Sequence, residues 1–159
     1  MGLTATDIDL LLELRQRNLS ISRIATIGSL SLYLHPRQVG LLKQFIPQSL
    51  ALVEYRWGDT AGPILRDLTG ASEVASIDMS DYQGSSIVHD MNMPLAESHP
   101  DLGEQFDLVI DGGTLEHVFN FPVAVANCSI PDDHISPRRS ALFMARSVLR
   151  DFRDGGRQC

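Results

Sequence analysis

The chain has 159 residues, 43% of them hydrophobic and 21% charged, with a formal net charge of −7. That length suits one domain of ordinary size, the composition is globular rather than disordered or collagen-like, and no apolar run approaches the roughly 20 residues of a membrane-spanning helix. The acidic balance makes a phosphate-neutralising surface a poor expectation, so small molecules are expected as partners and neither nucleic acid nor membrane is.

Two cysteines, Cys128 and Cys159, are too few for a disulfide framework or a four-ligand metal site. A reducing cytoplasm is the expected compartment, and no metal is expected. Asp7, Asp9 and Glu13 stand where a secretory signal would be basic, so no leader is expected.

Taken in chain order, Thr6 followed three residues on by Asp9 resembles a capping box. Ile8, Leu11 and Leu12 supply an apolar stripe and Glu13 pairs with Arg17, which predicts a helix over residues 7–17. The run from Arg23 to Gly28 reads as a buried strand ending in a tight turn. Pro36 suits a first helical turn, and Val39, Leu42 and Phe45 continue at helical spacing. Residues from Pro47 to Gly62 are mixed, and Pro63 to Leu68 predicts a short helix closed by Gly70. Three more apolar runs follow, Val74 to Ile77, Ser86 to His89 and Phe106 to Ile110, with His89 expected to be structural.

Strand, then an acidic or glycine-bearing turn, then helix is the rhythm of an α/β fold, a Rossmann-like parallel sheet with helices on both faces. In such sheets ligands sit outside the carboxyl ends of the strands, near the point where strand order reverses. The residues just after the apolar runs are Gly28-Ser29-Leu30, Asp78-Met79, Asp90-Met91 and Asp111-Gly112. Three aspartates in one kind of position suit a ribose diol, whose paired hydroxyls donate to a carboxylate. The plain alternative is that each aspartate caps a turn or helix. A lone Gly28 without a Gly-x-Gly-x-x-Gly series argues against a pyrophosphate-bearing dinucleotide and leaves a nucleoside allowed.

The stretch from Phe106-Asp107-Leu108-Val109 through Leu115-Glu116-His117-Val118 resembles the fourth-strand motif of class I S-adenosylmethionine-dependent methyltransferases. Ser76-Ile77-Asp78 is similar to that family's second strand, Ile87 to Asn92 to its third, and Arg23 to Ser29 to its first. The resemblance implies S-adenosyl-L-methionine as cofactor and methyl transfer to a small-molecule or glycan-linked acceptor. It implies that Asp78 holds the ribose, that Asp90 meets the adenine amine, and that Gly28, Ser29, Leu30, Met79, Met91, Asp111 and Gly112 line the cofactor. Glu116 and His117 become the candidate bases, and Glu116 is equally a cap for a helix through Val118, Phe121 and Val125.

Composition shifts after Cys128, where residues 129–159 hold six of the arginines and no lysine. The division read from this is a methyltransferase-like α/β domain over 1–128 and an atypical Arg-rich tail over 129–159, helical in part through Ala141, Met144, Ala145, Val148 and Phe152. The strands expected after the fourth are not legible, so the expectation is a fold incomplete, or truncated, at its C-terminal strands, with an exposed sheet edge open to self-association. The competing reading is a non-catalytic remnant that binds a nucleoside or a protein partner.

Overall fold

The computed structural model describes residues 2–42, 44, 54–102 and 105–128, and the backbone of 142–145. The first strand, β1 (Gly2–Leu3), leads into helix α1 (Ala5–Gln16), which starts two residues earlier than the spacing predicts. The capping box is there but shifted: Thr4 is the cap, and its backbone N–H and hydroxyl both donate to the Asp7 carboxylate at 2.7 Å. Thr6 and Asp9 stand within the helix instead. The Glu13–Arg17 pair forms as expected, at 2.6 Å.

Strand β2 (Arg23–Ile27) is followed by the short β3 (Ser31–Leu32) and helix α2 (Pro36–Leu42). Phe45, expected to extend that helix, lies outside the described residues. Helix α3 (Gly62–Thr69) closes on Gly70, and β4 (Glu73–Asp78) and β5 (Ile87–Val88) follow. A single turn, α4 (Leu95–Ser98), precedes β6 (Leu108–Asp111), and α5 (Phe121–Cys128) follows it.

Residues 142–145 form a strand, β7 (Leu142–Ala145), where a helix was expected at Met144 and Ala145. It pairs in parallel with β6 from Leu108 through Asp111, so the β6 edge expected to stand open is covered over that length. Leu142, Phe143 and Met144 also suit a strand, and a run this short does not fix its own periodicity. The other residues of the expected tail helix lie outside the described residues.

The main sheet has five strands in the order β5-β4-β2-β6-β7, every pairing parallel. It is an α/β, Rossmann-like arrangement with helices on both faces. Alternation along β2 and β6 explains the layers: Ile24, Leu108 and Ile110 face α1 and α3, whereas Ala25, Ile27 and Val109 face α5. Helices of 12 and 8 residues are marginal alone, so α1 and α3 are held by burying Ile8, Leu11, Ile64, Leu65 and Leu68, each side chain contributing roughly 1.5–3 kcal/mol.

The base of the sheet is stitched by a side chain. Asp107 Oδ2 accepts the backbone N–H of Ser22 at 2.8 Å and of Arg23 at 2.9 Å, fixing the register of β6 on β2. The Arg23 guanidinium pairs with Glu73 at 2.8 Å and lies 5.5 Å above the Phe106 ring, joining β4 to the same corner.

Candidate functional site

The chain runs outward from β2 to β4 and β5, then crosses back to place β6 on the other side of β2. The point where strand order reverses is therefore the crevice between β2 and β6, at their carboxyl ends. The tips of β4 and β5 form the neighbouring part of the same rim.

At the β2 tip, Gly28 adopts φ 79°, a left-handed conformation that glycine takes without strain, and its N–H donates to the Ile77 carbonyl at 2.7 Å. This turn aims the Ser29 N–H at Asp78, whose Oδ2 accepts it at 3.1 Å. Asp78 is half-buried and retains acceptor capacity beyond that bond, while Met79 beside it is 72% exposed. The Asp78 carbonyl accepts the His89 N–H at 2.8 Å, which brings the chain after β5 against the tip of β4 and sets Asp90 beside it.

Asp90 is exposed, and its Oδ1 accepts the backbone and side-chain N–H groups of Asn92 at 2.9 and 2.7 Å. Those donors hold its carboxyl below the usual carboxylate range, so it is an anion at neutral pH. Met91 is buried in the core against α5, so its side chain packs there. His89 is buried as well. Its Nε2 bonds the Met93 carbonyl at 3.0 Å, which only accepts, so Nε2 carries a proton, and Nδ1 is hydrogen-bonded with the Ser98 hydroxyl at 2.9 Å. The histidine thus braces the loop structurally, as expected.

A set of asparagines locks the same loop. Asn127 on α5 donates to the Met93 carbonyl at 2.8 Å and accepts the Leu95 N–H at 2.8 Å. Asn120 donates its backbone and side-chain N–H groups to Asn92 at 2.8 and 3.1 Å. Sequence reading missed Asn120 and Asn127 because asparagine at the two ends of a helix carries no signal of a long-range partner.

The β2–β6 crevice is filled by protein. Thr114 Oγ1 donates to the Ile27 carbonyl across it at 2.8 Å. Leu30, 5% exposed, packs onto Gly112, where an added Cβ would come within 2.7 Å of the leucine Cδ2. Asp111 is buried and turned into its own loop: Oδ1 accepts the N–H of Thr114 at 2.8 Å and of Leu115 at 3.2 Å, and Oδ2 has no hydrogen-bond partner among the described residues. Burial pushes its carboxyl above the usual range. Leu30, Asp111 and Gly112 therefore sit together, but packed on one another.

Glu116 and His117 lie on a single 3-10 turn (Leu115–His117), exposed, with His117 Nε2 3.6 Å from Glu116 Oε1. The helix expected to run from Glu116 through Val118 is interrupted, since Val118 is extended at ψ 126° and α5 begins at Phe121. Of the three aspartates expected to converge, Asp78 and Asp90 stand at adjacent strand tips, whereas Asp111 serves its own turn. Among the described residues no group of three or more His, Cys, Asp or Glu is placed to hold a metal ion, and no helix is long and apolar enough to cross a membrane. No protein-family model, curated protein or solved structure matches the chain.

Proposed function

We propose that the rim formed by the tips of β4 and β5 binds an adenosyl nucleoside and that the chain is an S-adenosylmethionine-dependent methyltransferase acting on a small molecule. The observation that carries the reading is the pairing of Asp78 and Asp90 at adjacent strand tips, drawn together by the His89 N–H bond to the Asp78 carbonyl. The Asp78 carboxylate keeps lone pairs for a ribose diol beside the Ser29 and Ser80 N–H groups it accepts, and Asp90 is ionised for an exocyclic amine. Met79 and Tyr82, 72% and 89% exposed, offer apolar surface for a base. The exposed Glu116–His117 pair supplies the candidate proton acceptor for a methyl acceptor bound at the β6 end.

The nucleoside half of the cofactor fits these residues. The methionine half does not fit while Leu30 covers Gly112. That same packing favours a second reading, a nucleoside-binding domain without catalysis. Isothermal titration with S-adenosylhomocysteine and with adenosine tests both. The methyltransferase reading expects heat with each ligand and its loss in Asp78→Ala; heat with adenosine alone supports the binding domain, and no heat with either overturns both readings.

A further inference from the structure

We infer that β1 and Leu30 form a strap that closes the β2–β6 crevice and admits the methionine arm of the cofactor only when the Leu30 side chain is displaced, directly or by release of β1, an inference that rests on the nucleoside reading above. Gly2 and Leu3 pair in parallel with Ser31 and Leu32 in a two-stranded sheet separate from the main one. The Leu3 carbonyl accepts the Tyr33 N–H at 2.8 Å, and on its other side the segment is held by the Ala61 N–H to the Leu30 carbonyl at 2.8 Å and the Leu32 N–H to the Asp59 carbonyl at 2.7 Å.

The contact at the crevice is made without room to spare. A Cβ on Gly112 would lie 2.7 Å from Leu30 Cδ2 and 3.5 Å from the Gly2 nitrogen, so side chain and first strand together occupy the space over the β6 tip. A Cβ on Gly2 would lie 2.0 Å from the Ser31 carbonyl oxygen, so β1 reaches this position only as glycine. Asp78 and Asp90 lie on the far side of β2 from this plug. A ligand confined to those two acids meets no strap, whereas one with an arm reaching towards Gly112 must displace it.

A two-residue strand is held by few hydrogen bonds, but Leu3 is buried in the core, so release of β1 is a local opening that also exposes that side chain, whereas displacing Leu30 alone leaves Leu3 in place. While the strap is closed, the apparent affinity for the arm-bearing ligand falls by the fraction of open molecules. Two variants open the crevice by different routes: Gly2→Val expels β1, and Leu30→Ala removes the plug and leaves β1 paired. Titration of the full chain with S-adenosylhomocysteine and with adenosine is expected to show roughly tenfold tighter binding of the first in both variants and less than about twofold change for the second. Unchanged S-adenosylhomocysteine affinity in Leu30→Ala, with both ligands still bound, overturns the strap and leaves the nucleoside reading standing. Equal tightening of both ligands also overturns it. Failure of wild type and Leu30→Ala to bind either ligand overturns the nucleoside reading and the strap with it. Because Gly2→Val strains the chain, Leu30→Ala decides if that variant melts early.

Discussion

Asp78 and Ser29 are joined across the sheet, the Asp78 carboxylate accepting the Ser29 backbone N–H at 3.1 Å. The bond ties the turn after β2 to the tip of β4 and leaves acceptor sites on the same carboxylate. Under the proposed nucleoside reading, one residue has two separable tasks, holding the turn and meeting a ligand.

Asp78→Asn separates them. An asparagine Oδ1 still accepts the Ser29 N–H, so the melting temperature is expected to stay within a few degrees of wild type. Loss of the charge removes hydrogen bonds to an ionised group worth about 1.5–3 kcal/mol, so nucleoside affinity is expected to fall at least tenfold. Calorimetric titration beside a thermal melt reads both, and a large melting shift with unchanged affinity would assign Asp78 to structure alone.

Asp107→Ala addresses the base of the sheet. It leaves the N–H groups of Ser22 and Arg23 without their acceptor, at an expected cost of roughly 1–3 kcal/mol in urea unfolding. Adenosine affinity per folded molecule is expected to be unchanged, because the stitch lies at the opposite end of the strands.

The buried Asp111 makes stability depend on pH. Its folded-state pKa is raised by burial, so the native state holds the proton more tightly than the unfolded chain. Stability from this group is present below the unfolded carboxylate value of about 3.9 and is lost as pH rises through the higher folded value. Asp111→Asn keeps an acceptor for the Thr114 and Leu115 N–H groups and removes the charge. The variant is expected to gain in melting temperature over wild type at pH 8, with the gain shrinking towards pH 4. A gain that grows on acidification would reverse the sign and contradict it.

Cys128 is buried at the C-terminal end of α5, and burial first, then the Asp111 charge, pushes its thiol up to about 12. Only a trace of thiolate exists at pH 8. In a Cys159→Ser background, alkylation by iodoacetamide is expected to be slow in the native protein and to accelerate with urea along the unfolding curve. Rapid alkylation of folded protein would show Cys128 to be accessible.

Much of the fold is legible in the residues because local rules and packing agree there. The β2 run of Ile24 to Ile27 is apolar on both faces, as a central parallel strand must be, and Gly28 and Gly70 mark the ends of β2 and α3. Capping at Thr4 rather than Thr6 is a competition between two similar Thr-x-x-Asp patterns, decided by the burial of Asp7. The strand at 142–145 is illegible alone because four residues fit helix and strand patterns alike, and pairing with β6 selects one. At the rim, the placement of Asp78 and Asp90 at adjacent strand ends is legible because each follows a short apolar run. The inward turn of Asp111 and the packing of Leu30 on Gly112 depend on which side chain fills a space between distant segments, which no local pattern encodes.

The central claim, a nucleoside seated on the tips of β4 and β5, is tested most directly by amide chemical shifts of isotope-labelled protein during titration with adenosine. The expected result is saturable shifts at Ser29, Met79, Asp90 and Asn92, with the Ser22 and Arg23 amides at the opposite end of the strands unmoved. Saturable shifts centred away from Asp78 and Asp90, or no shifts from folded protein at millimolar adenosine, would contradict it.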